Sequence, residues 1–209
     1  MRRKIMDVRR AVAYSVLMLL GLNVIWMLLN PMSPLGQWVR FGQRVERNNC
    51  QTVLSQIRVG MAEYCEDNGG RFPPAGPSVH PDSGWASTIQ VDLKCTACLH
   101  CIADTTDPVQ SNPGQRGFTS YWFNQNLSEV AVSGLYDKPS LLVLGDGGDG
   151  SDLTNSNYSI SGFSRKWLTD PSEPTYRHFG GANYLFADGH VRWLKPAELS
   201  GLGSPRFKP

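Results

Sequence analysis

One uncharged apolar run near the N-terminus constrains this chain more than any other feature. It extends from Ala11 to Leu29 and reads AVAYSVLMLLGLNVIWMLL, with Ser15 and Asn23 as its only strongly polar side chains. As a helix, its nineteen residues would span about 29 Å, close to the roughly 30 Å hydrocarbon core of a bilayer. The run therefore predicts a transmembrane helix, with residues 11–30 as the span.

The residues before the run predict its orientation. Residues 1–10 contain five Lys or Arg and one Asp, and short basic flanks remain on the cytoplasmic side. We therefore expect a single-pass protein of the cytoplasmic (inner) membrane, with residues 31–209 extracytoplasmic or periplasmic. A cleaved signal peptide is the rival interpretation, but its apolar segment would be shorter, and residues 30–38 offer no small-x-small cleavage site.

The composition of the exported part indicates one loop-rich domain. About 180 residues follow the anchor, enough for a real core. The five N-terminal cations exceed the net charge of +2 of the whole chain, so the part expected to be exported is near neutral. A nucleic-acid partner is therefore not expected. The 21 Gly and 14 Pro indicate many turns and short strands.

A second helix is predicted from about Leu35 to Asp67. Pro31 and Pro34 predict an interruption before it, and Gly69-Gly70 predicts its end. Its apolar residues recur at three- and four-residue spacings, namely Val45, Cys50, Val53, Leu54, Ile57, Met61, Tyr64 and Cys65. The stripe covers only about three heptads, so we expect packing on a sheet rather than a coiled coil. A short helix is also predicted around residues 85–93.

The second half of the chain has β character. Strands are predicted at Thr119–Asn124 and Ser140–Leu144, and residues 182–194 (ANYLFA-DG-HVRWL) predict a hairpin. Its turn is expected to be the two-residue Asp188-Gly189 with both residues at positive φ. The tail, Pro196–Pro209, is expected to be peripheral. The fold class is therefore α+β, with a helix on a small antiparallel sheet at about residues 118–195.

The cysteines predict disulfides, because they lie in the part expected to be exported. There are five, Cys50, Cys65, Cys95, Cys98 and Cys101. Cys50 and Cys65 would be about 22 Å apart along one helix and cannot pair within a chain. The favoured interpretation is two disulfides that link the C-x2-C-x2-C loop to Cys50 or Cys65.

Two metal sites are alternatives at this stage. The loop thiolates with His100 or His80 could hold zinc, although no second C-x2-C pair exists, and an iron–sulfur run would need a cysteine at Thr105. Asp146, Asp149 and Asp152 lie in a Gly-rich loop near Asn155 and Asn157, and such oxygen ligands suit calcium. The spacing is not that of an EF-hand, so a solvated turn is the favoured interpretation and calcium is the candidate cofactor.

No constellation in the sequence predicts catalysis. His178 and Asp188 could suggest an acid–base pair, but we interpret both as structural, next to a Gly-Gly turn and in the hairpin turn. The sequence has no nucleophile motif such as G-x-S-x-G. We therefore expect a non-enzymatic protein.

Two stretches resemble a known family. The helix end, residues 48–57 and 61–74, is similar to that of bacterial pilin-like proteins, and its last part reads MAEYCEDNGGRFPP. His178, nine residues and then Asp188-Gly189 resemble the signature of the prepilin-type, processing-associated H-X9-DG domain. Residues 120–124 and 142–147 are similar to strands of that family.

The resemblance implies the architecture and the partners. It implies a type IV pilin or type II secretion pseudopilin, in which a long helix lies half in the membrane and half on an antiparallel sheet. Subunits of this class assemble through their apolar helices and work with secretion or pilus machinery. Some pseudopilins bind calcium in a late loop, which bears on Asp146, Asp149 and Asp152.

The chain departs from the family at the processing site. Prepilins carry a glycine followed by Phe-Thr-Leu-Ile-Glu before the apolar run, and residues 9–14 (RRAVAY) have neither the glycine nor the glutamate. The expected function is a structural, pilin-like subunit that contacts membrane lipid and other such subunits. The alternative is an extracytoplasmic metal- or ligand-binding module on an uncleaved anchor.

Overall fold

The structure is a computed structural model that describes residues 2–30, 32–77, 83–148, 154–201 and 203–209. Side chains are described from residue 12 onward, except that of Thr96. The chain forms two compact units, Met1–Val45 and Glu46–Pro209. The second unit contains the sheet and both hydrophobic cores.

The first unit contains helix α1 (Arg2–Leu29) and the start of helix α2 (Pro34–Asp67). The predicted interruption between them is confirmed. Ser33 caps α2, because its Oγ accepts the Gly36 N–H at 2.9 Å. Proline at the first helical position needs no hydrogen-bond donor, so Pro34 begins the helix without loss.

One helix in the described part of the chain is long and apolar enough to cross a membrane. The qualifying window is Val12–Leu29, and none of it is buried. Its large apolar side chains are exposed, for example Leu17 at 63% and Leu29 at 77%. By length and composition, α1 is therefore a candidate membrane span.

Helix α2 packs its predicted stripe into the core of the second unit. The buried members recur at three- and four-residue spacings and are Cys50, Leu54, Ile57, Met61 and Cys65. The helix ends as predicted, because Gly69 and Gly70 adopt positive φ and the Gly70 N–H donates to the Cys65 carbonyl at 2.7 Å.

Five strands form one mixed sheet, in the order β3-β1-β2-β4-β5. Their bounds are β1 Tyr121–Asn124, β2 Leu142–Asp146, β3 Ser159–Ile160, β4 Ala182–Phe186 and β5 Val191–Leu194. The pairs β1–β2, β2–β4 and β4–β5 are antiparallel, but β1–β3 is parallel. The prediction of a purely antiparallel sheet is therefore wrong, because the chain passes beyond β1 after β2 and adds β3 at the far edge.

Both faces of the sheet are covered. Tyr121 and Phe123 of β1 face one core with α2 and the short helix α3 (Trp85–Ile89), which falls within the predicted residues 85–93. Trp122 faces the other core, which includes Trp167 of helix α4 (Arg165–Thr169). All residues of β1, β2 and β4 are consequently buried.

The β4–β5 hairpin is present, but its predicted two-residue turn is wrong. The last paired residues are Leu185 and Val191, and the Phe186 N–H donates to the His190 carbonyl at 3.0 Å. Gly189 has φ +91, whereas Asp188 is not among the residues with positive φ. This pattern is typical of a three-residue loop in which one glycine forms a bulge.

The C-terminal tail is attached to the sheet, although its described residues other than Leu199 are exposed or only partly buried, as expected of a peripheral segment. The Leu142 N–H donates to the Arg206 carbonyl at 2.8 Å, and the Arg206 N–H donates to the Ser140 carbonyl at 2.7 Å. The Phe207 ring stacks on Trp122 with centroids 5.4 Å apart. The tail therefore closes the side of the sheet opposite α2.

Candidate functional site

Three distant parts of the chain bring a cysteine pair and a histidine together inside the core. Cys50 belongs to α2, Cys101 follows a one-turn helix at Thr96–Leu99, and His178 precedes β4. Their ligand atoms all lie within 4.8 Å of one another, and Cys101 Sγ is 3.2 Å from His178 Nε2. All three residues are buried, at 1–3% exposure.

A tight turn fixes the position of His178. The backbones of His178 and Gly181 exchange two hydrogen bonds, each 3.2 Å long. Between them, Phe179 and Gly180 have φ +61 and +67, as a type I′ turn requires. The Trp193 indole N–H donates to the His178 carbonyl at 2.6 Å. The turn geometry expected at Asp188-Gly189 therefore occurs at Phe179-Gly180.

A buried carboxylate lies beside the histidine. Asp146 Oδ2 is 3.5 Å from His178 Nε2 and accepts hydrogen bonds from the Asn183 backbone at 2.6 Å and its side chain at 3.1 Å. Asp146 Oδ1 is 4.0 Å from the Arg177 guanidinium, which is also 3.5 Å from Asp104 Oδ2. The imidazole and the thiols thus share a buried environment with an ion-paired network.

Several polar atoms around this network have no hydrogen-bond partner in the described part of the structure. They are Tyr121 Oη, Asp146 Oδ1, Arg177 Nε and His178 Nδ1. Buried polar atoms are almost always paired, so such a group of orphans needs an explanation. These unpaired atoms show that the region is polar and that some of its hydrogen-bonding groups lack partners, unlike the apolar packing around it.

The thiols interact strongly enough to shift each other's pKa. The hydrogen bond with Cys101 lowers the pKa of Cys50, whereas the same bond and burial raise the pKa of Cys101. Burial opposes the charged form of His178, but its bond to Cys101 and the charge of Asp146 together raise its pKa. The hydrogen bond between the two thiols thus favours the charged form of Cys50 and disfavours that of Cys101.

The remaining cysteines lie elsewhere. Cys95 and Cys98 form a disulfide within the loop, with Cα atoms 5.4 Å apart, because the turn at Thr96–Leu99 brings them together. Cys65 is a buried free thiol whose pKa burial raises to about 11. The predicted disulfides from the loop to Cys50 or Cys65 are therefore not found, although Cys101 does lie beside Cys50.

The alternative of a zinc site in the loop loses two of its candidate ligands. Cys95 and Cys98 are bonded to each other and cannot act as thiolate ligands. Cys101 is directed to His178, and His80 lies outside the described residues. The His100 ring is half-buried, and burial lowers its pKa.

Calcium binding remains a prediction. Of the three aspartates proposed for it, Asp149 and Asp152 lie outside the described residues. Asp146 ends β2, is fully buried and accepts hydrogen bonds from Asn183. At least this carboxylate faces protein groups rather than a solvated loop.

His178 and Asp188 serve different parts of the fold. His178 contacts Cys101 and Asp146, whereas Asp188 Oδ1 lies 2.5 Å from His190 Nδ1 and accepts the His190 N–H at 3.2 Å. Sequence reasoning missed the cluster because its members are distant in the chain. The signal that could have found it is the presence of a histidine before a glycine pair in a chain whose five cysteines cannot all be paired.

Comparison with known proteins found no matching family model, no similar curated protein and no matching solved structure.

Proposed function

We propose that this protein is a structural, pilin-like subunit of a type II secretion or type IV pilus-like envelope assembly. The observation that carries the proposal is the wholly exposed apolar surface of α1 in a chain whose second unit has a complete core. Such a surface needs an apolar environment, and a helix of this length finds it in lipid and in the helices of other subunits.

Exposed apolar residues beyond the candidate span support association over simple anchoring. Trp38 is 75% exposed and Phe41 is 66% exposed, and both lie in α2, past the window that ends at Leu29. A lipid anchor alone does not require apolar residues so far beyond its span, although tryptophan is common at membrane interfaces. Neighbouring subunits would cover these side chains.

The α+β architecture and the H-X9-DG hairpin are consistent with the proposal. The protein would be held in the cytoplasmic membrane with its N-terminus inside and its second unit outside. The alternative, a metal- or ligand-binding module on an anchor, is favoured by the Cys50–Cys101–His178 cluster. That cluster is buried, so an ion bound there would be a fixed part of the core rather than an exchangeable cargo.

Photo-crosslinking in the native membrane tests the proposal. A photoreactive amino acid is introduced at Leu17 or Leu28 of α1, which leaves the native cysteines unchanged. We expect crosslinks between subunits at both positions, because the apolar helices pack together. The yield should persist when expression is lowered, since specific packing does not depend on crowding.

A matched chain with the photoreactive residue at the exposed Val91 of the second unit controls for random collision. A protein that remains monomeric at every position would contradict the proposal.

A further inference from the structure

The Cys50–Cys101–His178 cluster has the chemistry of a metal site. Two sulfurs and one imidazole nitrogen converge within 4.8 Å from three separate chain segments. Thiolate and imidazole together select thiophilic ions such as zinc. A lone buried cysteine is a common packing residue, but two cysteines that meet a histidine in a core are not explained by packing.

The orphaned polar atoms around the cluster point in the same direction. Tyr121 Oη is completely buried and has no hydrogen-bond partner among the described residues. Burial, and then the nearby Cys101, Asp146 and Cys50, raise the pKa of its phenol. Among the same residues, Asp146 Oδ1 is likewise buried without a hydrogen-bond partner. An ion held by the thiols would provide the partner that one of these oxygens lacks.

Charge balance favours a divalent ion. Asp146 and Asp104 already face Arg177, so two thiolates without a cation would add uncompensated negative charge to the core. A divalent cation neutralises two thiolates, and its binding releases the two thiol protons to solvent.

We propose that Cys50, Cys101 and His178 bind one zinc ion that fastens α2 to the cysteine loop and to the segment before β4. His178 binds through Nε2, which already faces Cys101 Sγ at 3.2 Å. The fourth position belongs to an oxygen, for which Asp146 and Tyr121 are the buried candidates. The role is structural, because the cluster is buried and the ion would join residues that are 51 and 77 positions apart.

A disulfide between Cys50 and Cys101 is the competing outcome, since the exported compartment is oxidising. It would use the two sulfurs, but it would leave Tyr121 Oη without a partner and His178 Nε2 with only the Asp146 carboxylate, at 3.5 Å. The two outcomes differ in the number of thiols that react after denaturation in chelator without reductant. If zinc was bound, the alkylating reagent modifies Cys50, Cys65 and Cys101. If the disulfide was present, it modifies only Cys65.

The test uses the full-length protein, exported and purified in detergent without chelator or reductant. We expect about one zinc ion per chain by elemental analysis, with two sulfur neighbours at about 2.3 Å by X-ray absorption. The zinc content of the Cys50→Ser and Cys101→Ser proteins should be lower by about tenfold or more. Cys65→Ser is the matched control, because Cys65 lies on the same buried helix stripe outside the cluster, and it should retain zinc.

A ligand exchange separates direct binding from a role in folding. His178→Cys should retain zinc and change its surroundings from two sulfur neighbours to three, which a merely structural histidine would not do. Co²⁺ added to the metal-free protein should give a thiolate-to-cobalt charge-transfer band that Cys50→Ser abolishes. A metal-free native protein, or a Cys50–Cys101 disulfide in its peptides, would overturn the proposal. The crosslinking of α1 does not depend on either result.

Discussion

Asp146 connects several separate parts of the core. Its carboxylate accepts two hydrogen bonds from Asn183 and lies beside His178 and Arg177. Its backbone carbonyl accepts hydrogen bonds from Trp122 and from Thr175. The side chain is fully buried, so its charge is stabilised only by these neighbours.

Asp146→Asn should therefore destabilise the second unit. The substitution removes a buried negative charge beside Arg177 and places an amide where Asn183 already donates. We expect a loss of about 3 kcal/mol in the free energy of unfolding, measured in urea by tryptophan fluorescence. The exposed Asp137→Asn is the matched control and should change stability by about 0.5 kcal/mol or less. Equal stability of the two variants would refute the role of Asp146.

Individual residue roles were only partly predictable from the sequence. His178 was correctly expected to lie next to a Gly-Gly turn, but its partners come from α2, β2 and the cysteine loop, and no local pattern reveals such contacts. The glycines and aspartates that follow Asp146 predict that this residue lies in a loop. It is instead the last residue of a strand that is buried on both faces.

At the scale of elements, local patterns predicted helices better than the sheet. Three features of α2 depend only on residues that are neighbours in the chain, so they can be predicted from the sequence. They are the interruption before Pro34, the apolar stripe and the glycines at the end of the helix. The direction of a strand does not depend on neighbouring residues. The parallel β1–β3 pair instead depends on where a long connection returns to the sheet. The hairpin loop differs from its prediction because Asp-Gly also suits a three-residue loop with one residue at positive φ.

Gly145, the second-to-last residue of β2, allows a test of how closely the strands pack. A methyl group there would lie 2.5 Å from the Trp122 ring and 2.6 Å from the Tyr184 ring. We expect Gly145→Ala to cost about 1–3 kcal/mol of stability, because neither buried ring can move freely. The measurement is urea unfolding of the full-length protein.

Gly162→Ala provides the comparison for that variant. Gly162 is exposed, and no atom lies within 4 Å of the added methyl group. Its stability should stay within about 0.5 kcal/mol of the parent protein. If Gly145→Ala were equally harmless, the close contact between β2 and its neighbours would be refuted.

At the scale of the whole molecule, the membrane topology is the decisive prediction. The five cations before the apolar run should hold the N-terminus in the cytoplasm, so the second unit should be outside. A reporter enzyme that is active only outside the cytoplasm should be active when fused after Pro209. The same reporter fused before Met1 should be silent, and the reverse pattern would contradict the topology.

The tail that closes the sheet has a consequence for the order of biogenesis. Leu142 at the centre of the sheet bonds to Arg206, and Asn124 of β1 donates a hydrogen bond to the Phe207 carbonyl at 2.8 Å. Residues 203–209 follow every strand during synthesis, so these contacts form only after the last residues have left the ribosome. The side of the sheet that Phe207 covers is therefore completed after the strands themselves have been made.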